Sequence, residues 1–360
     1  MRTAADEFVN KDKTGMGIME MSHRDPGGPV QNCISSAADR IRSLLDVPSN
    51  YHILFMQGGA HGQFAAIALN LLGDKVQADY INTGYWSQRA ATEASKYCTV
   101  RYAYDGEKDG FSVLPPVEEW DISEDSAYIH ICANETIHGV EVLEDPQLPE
   151  GSPPLVGDFT STLLSRKIDI SKYGCIYASG GKNLGPAGVT VIIIREDLVG
   201  MESPMCPSVL SYTKMAASKP IMSIYNTPPT FLIYMVDLVL LDNMNSGGME
   251  YLEQRAKDRS SQIYNIIDES NGFYKAKCKD AKFRSRMNVP FRIGAGDGDK
   301  EMEALFCTEA EKRGLLQLFC HPLFPGCRVT LYNGIPDKAV DALTDYMIEF
   351  ANMYAPSMMQ

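Results

Sequence analysis

"YASGGKNLGPAGVTVIII", residues 177–194, sets an apolar run, a turn crowded with glycine and a second apolar run end to end. The flanking runs are rich in β-branched residues and read as buried strands. Between them stand Gly180, Gly181, Gly185, Gly188 and Pro186, and with them a single lysine, Lys182. Glycine relaxes the φ constraint and lets other groups approach the backbone, so this turn suits a crowded site better than a solvated loop.

Similar runs recur on the N-terminal side, at "YHILFM" (51–56), "ADYINT" (78–83), "AYIHIC" (127–132) and "PLVGDF" (154–159). Helix-like stretches such as "GQFAAIALNLLG" (62–73) and "SQRAATEASKY" (87–97) separate them. This alternation predicts an α/β fold with a mostly parallel sheet flanked by helices. Two long helical patterns follow, at 231–244 and 249–269, and then a less regular α+β stretch. We place a large domain at 1–252 and a smaller C-terminal α+β domain at 253–360, bridged by the second helix. The six-residue tail "APSMMQ" reads as frayed.

The formal net charge of −13 excludes the basic surface that nucleic acid or an anionic membrane requires. "FLIYMVDLVLL" (231–241) is too short to span a bilayer and carries Asp237, so it reads as a core or subunit-interface helix. The nine cysteines form no CxxC pair, and the first twenty residues lack the apolar stretch of a signal peptide. These features describe a cytoplasmic protein with reduced thiols.

In such sheets ligands gather at the carboxyl ends of the strands. The polar residues expected there are "QGGAHGQ" (57–63), "NTGYW" (82–86), "NETIHG" (134–139), Asp158 and Lys182. A lysine removed from water loses the stabilisation of its ammonium, which frees the neutral amine to form a Schiff base with an aldehyde. The commonest aldehyde cofactor, pyridoxal 5'-phosphate, also needs a carboxylate at its ring nitrogen, a stacking group and donors for its phosphate. Asp158 is the carboxylate candidate, or else the cap of a turn. Trp86 can stack on the ring or merely fill the core. The glycine-rich turn at 58–62 opens a helix whose N–H groups suit a phosphate. Thr136 can reach a ring hydroxyl or cap its own turn. His130, Cys132 and His138 hint at a metal, but no second cluster supplies further ligands, so no metal is expected.

Together these segments resemble the phosphoserine aminotransferase family, class V aminotransferases of pyridoxal-phosphate fold type I. The resemblance is carried by "MEMSHRDP" (19–26), "QGGAHGQFAAIALNLLGDK" (57–75), "NETIHG", "GGKNLGPAG" (180–188), "YNTPPTF" (225–231), "RSRMNVPFRI" (284–293) and "CRVTLYN" (327–333). It implies Lys182 as the Schiff-base lysine, Asp158 at the ring nitrogen, Trp86 on the ring face and Thr136 beside the ring. It puts the cofactor phosphate at Ala60 and His61, with Asn226 and Thr227 reaching it from the other subunit of a homodimer. Arg328 is then the clamp for the substrate α-carboxylate, and His23, Arg24 and His321 surround its distal anion. The implied reaction moves the amino group of glutamate to 3-phosphohydroxypyruvate, giving O-phosphoserine and 2-oxoglutarate.

Four features depart from the family pattern. The chain begins without a Gly-Pro-Ala segment, so part of the small domain is expected to be missing or replaced. Gly181 stands where the family has a glutamine on the cofactor phosphate, and His61 where bacterial members have arginine. The family's His-Arg pair is His321-Pro322 here, one cation fewer. Two alternatives therefore stay open. One is a related class V transaminase or cysteine-acting enzyme using Cys320 or Cys327, and the other is a catalytically weakened paralogue that still binds the cofactor.

Overall fold

The computed structural model describes residues 2–322 and 324–355, so most of the "APSMMQ" tail lies outside the described residues. In chain order the first helices are α1 (Arg2–Val9) and α2 (Pro29–Leu44). There follow β1 (Tyr51–Met56), α3 (Gly59–Leu71), β2 (Gln77–Asn82), α4 (Tyr85–Ala94), β3 (Thr99–Asp105) and β4 (Ile129–Cys132). A short hairpin, β5 (Asn134–Glu135) and β6 (Val140–Glu141), precedes β7 (Leu155–Asp158), β8 (Cys175–Ser179) and β9 (Thr190–Arg195). The chain continues through α5 (Tyr212–Ala216), α6 (Thr230–Asn245), α7 (Gly248–Glu269), β10 (Tyr274–Ala276), β11 (Asn288–Ile293), α8 (Lys300–Lys312), β12 (Cys327–Thr330) and α9 (Asp337–Tyr354).

Seven strands form one sheet in the order β1-β9-β8-β7-β4-β2-β3. Only β9 runs against its neighbours, because the glycine-rich turn returns the chain directly from β8 as a hairpin, Ser179 facing Thr190. The other strands therefore end at one edge, as a mostly parallel sheet requires. Their side chains alternate between two cores: Ile53, Phe55, Ile176 and Ile193 pack under α2 and α6, whereas Leu54, Met56, Tyr177 and Ile192 pack under α3 and α4. Each such fully buried aliphatic side chain contributes about 1.5–3 kcal/mol. A strand buried on both faces reads as an unbroken apolar run, and this explains why "YHILFM" and "VIII" stand out in the sequence.

Helix α6 is apolar around most of its circumference, packs on α2, and has its central acid, Asp237, paired with Arg40. No helix among the described residues is long and apolar enough to cross a membrane. The second sheet is antiparallel, β10-β11-β12, and builds a separate core with α8, α9 and the second half of α7. Leu252 of α7 belongs to the first core and Ile263 to the second, so the divide drawn at 252/253 falls inside this one helix.

Candidate active site

The carboxyl ends of β1, β2, β4, β7 and β8 open onto a cavity of about 220 Å3, and each contributes to its lining. Gly59, Ala60 and His61 come from the turn into α3, Trp86 from α4, Asp158 from β7 and Lys182 from the turn after β8. Asp158 and Lys182 thus share one wall-to-wall space, yet among the described residues they form no ion pair. The Lys182 Nζ lies 5.9 Å from the centre of the Trp86 ring.

The Asp158 carboxyl is buried at the end of its strand, and its Oδ1 accepts the Thr160 N–H at 2.9 Å. It therefore caps a turn and faces the cavity at once. Burial raises its pKa above the usual carboxylate value, while hydrogen bonds from Thr160, the charge of Lys182 and the Tyr177 hydroxyl pull it back toward ionisation.

Lys182 is aimed by its backbone. The Gly181 N–H donates to the Gly185 carbonyl at 2.6 Å, which folds the turn tightly, and a Cβ at Gly180 would stand 2.1 Å from the Pro186 carbonyl oxygen. Beside it, Asn183 donates to the Leu163 carbonyl at 3.0 Å and accepts the Asn333 N–H at 2.9 Å. The lysine turn is thereby tied to the chain that follows the second sheet.

Trp86 is fixed from the "NETIHG" loop. Its indole N–H donates to Thr136 Oγ1 at 2.9 Å. The Glu135 carboxylate, fully buried, accepts the backbone N–H groups of Trp86 and Ser87 at 2.9 and 2.8 Å and the Ser87 hydroxyl at 2.9 Å. This acid satisfies the otherwise unpaired donors at the start of α4 and suits the positive end of its dipole. A Cβ at Gly84 would come within 2.7 Å of the Glu135 carboxyl carbon, so only glycine lets loop and helix meet this closely. Sequence reading missed Glu135 because its partners lie on another element; the one available signal was an acid inside an otherwise buried run.

A family model for class V aminotransferases matches residues 14–309. The chain belongs to the class V aminotransferases. The phosphoserine aminotransferase of Laribacter hongkongensis is 42% identical to this class V aminotransferase, over 98% of this chain and 95% of its relative. The solved phosphoserine aminotransferase of Bacillus circulans subsp. alkalophilus superimposes with a TM-score of 0.91 at 38% identity, over 98% of this chain and 94% of the other. A pyridoxal-phosphate-bound phosphoserine aminotransferase from Trichomonas vaginalis gives 0.86 at 36% identity, over 96% and 95% of the two chains.

Around the cavity of this class V aminotransferase the remaining expected residues divide into two groups. Arg328 on β12 reaches across, its Nη1 donating to the Thr136 carbonyl at 3.4 Å, and His321 lies against Tyr85, the neighbour of Trp86, at 5.7 Å between ring centres. Thr136 itself holds the indole rather than lining the space. Gly181 also stands outside the lining, with its N–H already committed and its φ at +98°, a conformation that a glutamine rarely adopts. Asn226 lines a different cavity with Gln57 and Gly58, and the Thr227 carbonyl accepts from the Gln57 side chain at 3.3 Å. His23 and Arg24, before α2, are likewise absent from the lining of the Lys182 cavity.

No group of three or more His, Cys, Asp or Glu among the described residues is placed to hold a metal ion. His130 instead meets Tyr177, and Cys132 donates to the Asn134 carbonyl. Cys327 is buried with its sulfur 3.6 Å from that of Cys307, and its thiol pKa is pushed far up, which is unsuited to a nucleophile. The cysteine-acting alternative keeps only the half-buried Cys320.

Proposed function

We propose that this chain is a phosphoserine aminotransferase that holds pyridoxal 5'-phosphate in the Lys182 cavity and moves an amino group between glutamate and 3-phosphohydroxypyruvate. The observation that carries the reading is the pair Asp158 and Lys182, brought to one cavity without being neutralised by each other. A buried carboxyl facing such a space, held on one oxygen by Thr160, can accept a further cation or proton donor from a ligand, and a protonated pyridine nitrogen is one.

When bound, the cofactor supplies an electrophilic aldehyde carbon and an electron-accepting ring that stabilises negative charge at the substrate Cα. Lys182 Nζ would tether it, and as a free amine would take the proton from the substrate Cα and later return one. Asp158 keeps a proton on the ring nitrogen. Trp86 covers a ring face and excludes water. The first-turn N–H groups of α3 at Ala60 and His61 receive the cofactor phosphate, favoured by the helix dipole.

Arg328 has no carboxylate partner among the described residues, so its guanidinium is free to clamp the substrate α-carboxylate. His23, Arg24 and His321 meet the distal anion. Asn226 and Thr227 complete the phosphate site of a partner subunit, and the active form is a cytosolic homodimer. The separation of Asn226 from its own chain's lysine cavity, and the exposure of Leu241 and Met244 on α6, support that assembly.

Borohydride treatment followed by peptide mass analysis tests the tether, which is expected on Lys182 alone. Half-transamination, followed by the absorbance of the bound cofactor, tests the substrate: O-phosphoserine should react far faster than alanine. Equal rates, or a pyridoxyl group on another lysine, would overturn the proposal.

A further inference from the structure

Asn134 on β5 is 1% exposed and lines the Lys182 cavity together with Asp158 and Ser161. Among the described residues of that lining, its Oδ1 is the one buried side-chain polar atom without a hydrogen-bond partner. The protons around it fix which way the amide faces. Ser161 spends its single hydroxyl proton on the Asn134 carbonyl at 3.0 Å, so its Oγ can only accept from the side chain, and Asn134 Nδ2 donates to it at 2.8 Å. The other Nδ2 proton goes to Asn288 Oδ1 at 3.0 Å, and Asn288 is itself oriented by donating to Thr330 Oγ1 at 3.4 Å. Both protons are used inside the wall, and the oxygen is what remains.

Leaving a buried acceptor unpaired costs about 1–3 kcal/mol. In the wall of a cavity that cost can be offset, because whatever fills the space can bring the missing donor. With pyridoxal phosphate in the cavity the choice of donor is narrow. The ring N–H belongs to Asp158, a dianionic phosphate has no proton to give, and the ring hydroxyl beside a protonated nitrogen ionises and becomes an acceptor. The amino group being transferred is left, a primary amine or ammonium with N–H groups to donate. A neutral amide oxygen can accept from it without setting a second negative charge beside the buried Asp158.

We propose that Asn134 is a further ligand-contacting residue of this cavity: its Oδ1 accepts a hydrogen bond from the amino group being transferred, and so favours the amine-bearing over the aldehyde-bearing state of the cofactor. The inference rests on the cofactor reading given under Proposed function. An aldehyde presents only an acceptor to the amide oxygen, whereas an amine satisfies it.

The test uses two ligands that cannot form a Schiff base with Lys182: pyridoxamine 5'-phosphate, and the analogue with a methyl group in place of its aminomethyl group. Their dissociation constants are measured by titration calorimetry on full-length wild type and Asn134→Ala. Wild type should hold the amine-bearing ligand about tenfold tighter than the methyl analogue, and Asn134→Ala should shrink that ratio to about twofold or less. A general loosening of the cavity weakens both ligands alike and leaves the ratio where it was. Equal ratios in the two proteins therefore overturn the inference, and are the result expected if water or Lys182 satisfies the oxygen. A wild type that binds neither ligand overturns the cofactor reading instead. If Asn134→Ala fails to fold, Asn134→Ser, which leaves a smaller void beside Asn288, carries the same comparison.

Discussion

The two sides of the candidate site are held in different ways. On the sheet side hydrogen bonds that are at least partly buried fix the groups: Asp158 by Thr160, Trp86 by Thr136 and Glu135, and the Lys182 turn by Asn183. On the opposite side, ring contacts join the described residues of the His321 loop to the site, with His321 and Phe324 resting on Tyr85, Phe324 on His138, and the Lys277 ammonium 4.7 Å from the Phe324 ring. Hydrogen bonds in a dry site are directional and costly to leave unmade, whereas ring contacts tolerate sliding. The difference gives the sheet side pre-organisation and the loop side adaptability, and under the proposed function substitutions on the two sides should separate accordingly.

The largest effect is expected on the sheet side. Under the proposed function Lys182→Ala removes both the tether and the proton carrier, so turnover should fall by about 10⁴-fold or more, with no borohydride-fixed cofactor and an unchanged far-UV circular dichroism spectrum. Residual activity within tenfold of wild type would mean that another amine does the work.

Asp158→Asn should cut turnover by about 10²–10³-fold, while having the opposite effect on the empty protein. The native carboxyl binds its proton more tightly than the unfolded one, because burial raises its pKa. Ionising it as pH rises through the carboxylate range therefore costs the native state stability, and asparagine removes that cost. Cofactor-free Asp158→Asn should melt higher than wild type at pH 7, with the gap closing at acid pH where both side chains are neutral. A variant that melts lower at pH 7 would show that the carboxylate is a structural asset rather than a group waiting for a ligand.

The meeting of these two residues at one cavity was legible in the sequence because each stands at or just past the end of an apolar run. The double-sided burial of β1, β8 and β9 made the strands equally plain. The edge strand β3 was not legible: "TVRYAYD" is half-exposed and carries polar residues, so its pattern never becomes an apolar run. Helix α2 escaped because its buried positions, Val30, Ile34, Ala37 and Ile41, are spaced by three or four among polar residues and sit next to no motif. Glu135 escaped for a deeper reason: its contacts arise from β4 lying beside β2, which brings its loop to the start of α4, and that order is not written in any local stretch.

Glu135→Gln probes the middle of the range. It sets an amide N–H₂ against backbone N–H groups that need an acceptor, at a cost of about 1–3 kcal/mol in folding stability. Because the same carboxylate seats the start of α4, Trp86 should loosen with it. Cofactor affinity should fall about tenfold, and the fluorescence contribution of Trp86, isolated in a Trp120→Phe background, should shift toward that of an exposed indole. A loss of stability with unchanged affinity would reduce Glu135 to a helix cap.

The smallest effect is expected across the cavity. Pro322 follows His321 in a turn closed by the Phe324 N–H on the His321 carbonyl at 2.8 Å, where a proline stiffens the backbone without contributing charge. Pro322→Arg should relax that turn at a cost of about 0.4–1 kcal/mol and place a cation next to His321. Paired with a mobile, solvated phosphate, such a charge is worth up to about 1 kcal/mol, so KM for O-phosphoserine should fall no more than about fivefold while kcat stays put. The gain should shrink as salt is raised, because exposed charges are screened within a Debye length of about 10 Å at 0.1 M. KM for glutamate, whose distal carboxylate carries a single charge, should respond less. A fall in kcat instead would show that this loop is as rigidly tied to the chemistry as the sheet side is, and the contrast between the two sides would not stand.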